Sequence, residues 1–144
     1  LKNAEFLRYG VMHRNTFIDS PRLLNGDFSM RNNPLIFFGG QITGVEGYME
    51  SAASGLMAGI NLARRLNGED TVVLPQDTMI GALSRYISDE SVKNFQPMGA
   101  NFGVLPPLDE KIRDKQERYM QLAQRGMNSL KDFAINNNLG EKND

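Results

Sequence analysis

Leu35-Ile36-Phe37-Phe38-Gly39-Gly40-Gln41-Ile42-Thr43-Gly44-Val45-Glu46-Gly47-Tyr48 opens with a four-residue apolar run and then turns glycine-rich. The run is bounded by Pro34 and Gly39, which suits a short strand buried on both faces in a parallel or mixed sheet. Glycines permit tight bends and let a backbone approach a ligand closely. Behind them, from about Gly47 or Tyr48 to Leu66, Met49, Ala52, Ala53, Leu56, Met57, Ile60 and Ala63 recur at helical spacing. Strand, glycine turn and helix start together place free amides and a positive dipole end at the bend. Such a bend seats a phosphate or an electron-rich ring edge. The same glycines equally suit tight helix–sheet packing with no ligand. Their spacing is neither the GxGxxG of a dinucleotide fold nor a Walker loop. Ala52, Gly55 and Gly59 share one helix face and leave room for a second backbone. Asn67-Gly68 ends the helix.

On the N-terminal side, Pro21 biases Ser20 toward an extended conformation. Asn25-Gly26 between Leu23-Leu24 and Phe28–Met30 predicts a hairpin. On the C-terminal side, residues 71–74 read as a short strand or a packed linker. Asp77 is a candidate N-cap for a helix to about Ser88, with Ile80, Leu83 and Ile87 inward. Residues 93–108 form a long, partly apolar loop rich in proline and glycine. A last helix is expected from Asp109 to about Phe133, burying Ile112, Tyr119, Ala123, Met127, Leu130 and Ala134. The predicted class is α/β, with short strands, the glycine-rich strand-turn-helix and a mainly helical C-terminal half. Residues 1–70 read as one unit, 71–135 as a helical region packed on it, and 136–144 as a flexible tail.

Bulk properties narrow the function classes. The 144 residues carry a formal net charge of −1, so a nucleic-acid partner would rely on local clusters. No cysteine is present, which removes disulfides, zinc–thiolate sites and thiol nucleophiles and fits a reducing, cytoplasmic setting. No apolar run approaches the length of a membrane span, and the first residues lack a signal-peptide layout. The chain starts with Leu and reads as a portion of a longer protein.

Phe38-Gly39-Gly40-Gln41-Ile42-Thr43-Gly44-Val45-Glu46-Gly47-Tyr48-Met49-Glu50-Ser51-Ala52-Ala53-Ser54-Gly55-Leu56-Met57-Ala58-Gly59-Ile60-Asn61 closely resembles the second flavin motif of the GidA-like family of flavoproteins. Residues 8–19 (Arg8 to Asp19) and 95–108 (Phe95 to Leu108) support the folate- and FAD-dependent tRNA (uracil-5-)-methyltransferase branch. The resemblance implies the C-terminal portion of a Rossmann-type FAD-binding fold. The family's GxGxxG fingerprint and its cysteines lie in an N-terminal region that is not in this sequence. It further implies transfer of a methylene group from methylenetetrahydrofolate through reduced FAD to carbon 5 of a T-loop uridine in tRNA, with NAD(P)H as electron donor. The family's catalytic cysteines have no counterpart here, and no metal is implied.

Carried over residue by residue, Gly39, Gly40 and Gln41 would meet the ribityl chain or phosphates. Gly44, Val45, Glu46, Gly47 and Tyr48 would face the flavin pyrimidine edge. The resemblance therefore implies that Gly44→Val abolishes flavin binding. Tyr48 suits a stacking role or an ordinary boundary position. His13, the sole histidine, with Arg14 and Asn15, is a candidate for substrate or folate contact beside a plain structural role. Lys111, Arg113, Lys115, Arg118 and Arg125 alternate with acidic residues and suit a solvated helix face or a tRNA backbone contact. A GidA-like enzyme that modifies wobble uridine with a carboxymethylaminomethyl group is the competing enzymatic reading. A non-catalytic RNA- or protein-binding module is the competing reading from another class. Apolar surface meant for the missing N-terminal region would favour self-association of this portion alone.

Overall fold

The computed structural model describes residue 5 and residues 15–139. Its elements run α1 (Ser20–Leu23), β1 (Ser29–Met30), β2 (Asn33–Phe37), a 3-10 turn (Gly40–Thr43), β3 (Val45–Glu46), α2 (Tyr48–Leu66), α3 (Met79–Ser88), β4 (Met98–Gly99), a second 3-10 turn (Phe102–Val104) and α4 (Lys115–Asn136). The class is mixed α/β with short strands and a mainly helical C-terminal half, as the sequence predicts.

The expected hairpin is displaced. Leu23 closes the single helical turn α1, with Pro21 inside it supplying a helical φ. Leu24 makes only an isolated bridge to Met30. The turn at Asn25 closes through Phe28, whose φ is +69. The true hairpin is β1 with β2, antiparallel and irregular at Ser29 and Met30. Ser20 joins α1 rather than extending, and its hydroxyl donates to the Thr43 carbonyl at 2.8 Å. That bond ties α1 to the glycine turn.

β2 is not buried on both faces. Leu35 remains 59% exposed and Ile36 is also exposed, because among the described residues β2 has a single strand neighbour, β1. α2 begins at Tyr48, as the spacing predicts, but its inward face is Ser54, Met57, Ala58 and Asn61. Met49 and Leu56, predicted in the buried stripe, point outward. The apolar stripe is wider than the face that packs. A second backbone does approach α2 at Gly55, but the residue that must lack a side chain is Gly39. A Cβ there would lie 2.7 Å from the Gly55 Cα, whereas a Cβ on Gly55 or Gly59 would meet nothing within 4 Å.

Residues 71–74 form a linker, not a strand. Asn61 replaces the missing strand partner: its Nδ2 donates to the Val72 carbonyl and its Oδ1 accepts the Val72 amide, both at 2.8 Å. The same Nδ2 donates to the Asp27 carbonyl at 3.1 Å, so one buried amide joins hairpin, helix and linker.

α3 is capped by Thr78, whose side chain accepts the Gly81 amide, and not by Asp77. Asp77 instead receives the Ser129 hydroxyl from α4. The cap of α4 lies five residues beyond the Asp109 expectation: Asp114 caps the helix by accepting the Glu117 amide at 2.8 Å. Lys111, Ile112 and Arg113 therefore precede the helix. Its one fully buried residue is Leu122; Met127 and Leu130 stay exposed. The core joins Leu24, Phe28, Val45, Met57, Ala58, Val72, Leu83, Ile87 and Phe95. Among the described residues, no helix is long and apolar enough to cross a membrane.

Candidate functional site

The bend between β2 and α2 is a sequence of four distinct backbone states. Gly39 is extended, Gly40 has φ +74, residues 40–43 make the 3-10 turn, and Gly44 sits at φ +86. Positive φ is costly for a side chain-bearing residue, so glycine is required at Gly40 and Gly44. Thr43 locks the turn by donating its hydroxyl to the Gly40 carbonyl at 2.7 Å. The chain does not continue as a strand there.

β3 then pairs in parallel with β4, Val45 opposite Met98 and Glu46 opposite Gly99. The sequence predicts only a loop at residues 93–108, and a two-residue strand is too short to carry a periodic signal. This pairing brings a second segment of the chain to the start of α2. Phe95 lies under Gly44, its ring 2.4 Å from where a Cβ would stand. Phe17 meets Phe95 edge-on with centroids 5.9 Å apart, and Tyr86 packs against it at 5.6 Å.

The eight candidate cofactor residues thus divide by orientation. Gly39 packs on Gly55, Gly44 packs on Phe95, and the Val45 side chain is wholly buried in the core. Gly40 gives its amide to the Ser54 hydroxyl at 2.8 Å. Gln41, Glu46, Gly47 and Tyr48 open outward and, with Asn15 and Ser51, line a cleft of about 450 Å³. Tyr48 is 96% exposed, so its ring is a free flat face. Asn15 joins the cleft as the sequence reading allows; His13 and Arg14 lie outside the described residues. Ser51 escaped the sequence reading. Its signal was the helical step from Tyr48, which places it on the same turn.

The start of α2 has the chemistry of an acceptor-binding surface. Its N-cap is Gly47 at φ +103, which offers no capping side chain. The amides of Tyr48, Met49 and Glu50 precede the first intrahelical bond, made by Ser51 to the Gly47 carbonyl at 2.9 Å. They point their partial positive charge beside the cleft. Three uncapped amides and an exposed aromatic ring suit the edge of a planar, electron-rich ring such as a flavin. No group of His, Cys, Asp and Glu suited to a metal occurs among the described residues.

The basic residues of the C-terminal half are partly committed. Arg125 donates to the carbonyls of Pro106 and Pro107 at 2.6 and 2.9 Å. Arg118 donates to the Ile112 carbonyl and, with Lys115, lies over the Tyr119 ring. Tyr119 in turn stacks on Phe102 with centroids 4.3 Å apart. These contacts fold residues 102–113 onto α4. Lys111 and Arg113 remain exposed.

The family described as glucose inhibited division protein A matches residues 1–70. A methylenetetrahydrofolate–tRNA-(uracil-5-)-methyltransferase TrmFO of Streptococcus agalactiae is 60% identical over 92% of this chain and 30% of its own length. The TrmFO of Acetivibrio thermocellus is 57% identical over 93% of this chain and 31% of its own. That of Ligilactobacillus salivarius is 53% identical over 92% and 30%. The chain spans about 30% of the length of these curated relatives.

Proposed function

This chain belongs to the GidA-like family, and from that premise we propose that it is the C-terminal portion of a folate-dependent tRNA (uracil-5-)-methyltransferase that holds one edge of FAD. The observation that carries the reading is the uncapped start of α2, opening on the Gln41–Tyr48 cleft. Bound flavin would supply the carrier of the one-carbon unit and electrons between methylenetetrahydrofolate, NAD(P)H and uracil carbon 5. The residues of this chain orient it. The amides of Tyr48, Met49 and Glu50 hold negative charge at the ring's pyrimidine edge, a helix-terminus effect of about 0.3–2 kcal/mol. Gln41 meets polar atoms at the rim, and Tyr48 offers a stacking face to the ring or to the pterin. Asn15, with His13 and Arg14 before it, contributes the substrate side. The whole protein acts on tRNA in the cytoplasm.

Residues 1–70 belong to the FAD-binding unit and 71–135 form a helical region packed on it. The rest of the FAD-binding unit covers two open surfaces. One is β2, whose consecutive Leu35 and Ile36 are exposed on its two opposite sides. The other is the face of α2 that carries Tyr48, Met49, Ala52, Leu56 and Leu66.

The test uses the full-length protein. Gly44→Val is a poor probe, because it clashes with Phe95 and disturbs the core whether or not flavin binds. Gln41→Ala and Tyr48→Ala leave the core of this chain intact, and the unfolding midpoint of the flavin-stripped full-length protein reports any contact Tyr48 makes with the rest of the FAD-binding unit. The full-length protein should carry flavin absorbance that responds to methylenetetrahydrofolate, and the double variant should bind flavin more weakly by about tenfold, one hydrogen bond and one stacking contact being lost. A flavin-free wild-type protein, or product formation without folate, would remove this reading. Folate dependence also separates it from wobble-uridine modification, which the sequence Gly44-Val45-Glu46-Gly47-Tyr48 and the relatives' names disfavour.

A further inference from the structure

We infer that Glu50 is a positioning residue for the flavin-facing start of α2, and that it acts by clamping the segment after β4 against the glycine turn. The inference rests on the flavin reading above and assigns a role within it. Glu50 is the third residue of α2, where a glutamate ordinarily folds back onto the N-cap amide as half of a capping box. Here its Oε1 reaches across the fold and accepts the Ala100 amide at 3.1 Å. The carboxylate also fills the volume where a Cβ on Gly47 would stand. Glycine at 47 therefore serves two needs, a backbone at φ +103 and a berth for Glu50.

The clamped segment is fastened to the turn at three other points. Phe95 lies under Gly44, the Met98 amide donates to the Gly44 carbonyl at 2.8 Å, and Gly99 abuts the Glu46 carbonyl. Those fastenings secure the inner end of the segment. Glu50 secures its outer end, at residues 99–101, next to the cleft rim at Glu46 and Gly47. Beyond it, Asn101 caps the turn that leads to Phe102 and its stack on Tyr119. Releasing Glu50 leaves residues 100 and 101 held only from the α4 side and by their chain neighbour Gly99, so the segment beside the start of α2 loses its fixed distance from it. The predicted result is weaker retention of flavin without loss of the fold.

The experiment compares Glu50→Ala and Glu50→Gln in the full-length protein, following flavin release by the fluorescence of the freed cofactor. Glu50→Ala should release flavin about tenfold faster, and Glu50→Gln, which keeps an acceptor oxygen for Ala100, should stay within about twofold of wild type. The unfolding midpoint of flavin-stripped protein should match wild type in both. Three results overturn the inference while leaving the flavin reading intact: unchanged release in Glu50→Ala, equal acceleration in both variants, or a flavin-free midpoint that falls in step with retention. A wild-type protein that holds no flavin overturns the underlying reading and this inference together.

Discussion

Asp27 is the buried carboxylate around which the hairpin closes. Burial alone would raise its pKa. The Ser29 hydroxyl at 2.6 Å, the Thr71 side chain, the Ser29 amide at 2.9 Å and the Arg65 guanidinium outweigh that, and the pKa settles below the usual value. Arg65 approaches to 3.8 Å. A folded pKa lowered this way contributes stability above the unfolded value of about 3.9, and loses it as pH falls through the folded pKa. Asp27→Asn should cost about 1.5–3 kcal/mol at neutral pH, the worth of hydrogen bonds to a charged group. The gap between variant and wild type should narrow as pH drops below about 4, as urea midpoints at neutral and acid pH would reveal. A gap that stays constant with pH would mean the carboxylate's charge is irrelevant.

Among the elements, α4 behaves least as its sequence suggests. Its apolar residues recur at helical spacing, yet the helix is anchored chiefly by polar and small groups. Gly126 lets its backbone approach the Asp77 carbonyl, only 2.8 Å from where a Cβ would stand. Ser129 and Arg125 both reach Asp77, and Arg125 also holds the Pro106 and Pro107 carbonyls. Arg125→Ala should loosen α4 by about 1 kcal/mol, since two carbonyls lose a charged donor that is partly solvated. Faster amide exchange along α4, with no change in the salt dependence of tRNA binding by the full-length protein, is the expected signature. Arg113→Ala, on an exposed side chain ahead of the helix, should instead lower that salt slope if it meets a phosphate. An unaltered slope would remove Arg113 from the tRNA surface. The same elements mark what periodicity can tell. α2 and α3 were legible because long apolar spacing survives in any context, and the bend was legible because Gly40, Gly44 and Gly47 have no substitute at positive φ. β3, β4 and the starts of α3 and α4 were not. Two-residue strands carry no period, and among Asp77, Thr78, Asp109 and Asp114 the cap is chosen by tertiary partners. For the candidate site, the sequence indicated which residues gather at the bend. It could not distinguish Gly39, Gly44 and Val45, which turn into the packing, from Gln41, Gly47 and Tyr48, which turn out of it.

At the scale of the whole molecule, the decisive feature is an apolar helix face with no cover. Leu56 is 65% exposed, Met49 80% and Tyr48 96%, and helical spacing puts all three on one side of α2. A monomer seldom leaves so continuous a patch in water. If the remainder of the protein covers it, two consequences follow from the same residues. This 144-residue chain alone should self-associate with rising concentration, and Leu56→Glu combined with Met49→Glu should return it to a monomer in sedimentation velocity. In the full-length protein the same pair should be strongly destabilising, because each substitution forfeits about 1.5–3 kcal/mol of side-chain burial and brings a charge into the contact. The two measurements move in opposite directions only when the face is an internal contact of the longer chain. A full-length protein indifferent to both substitutions would show that this side of α2 faces water, and the proposal that the rest of the FAD-binding unit packs there would fail.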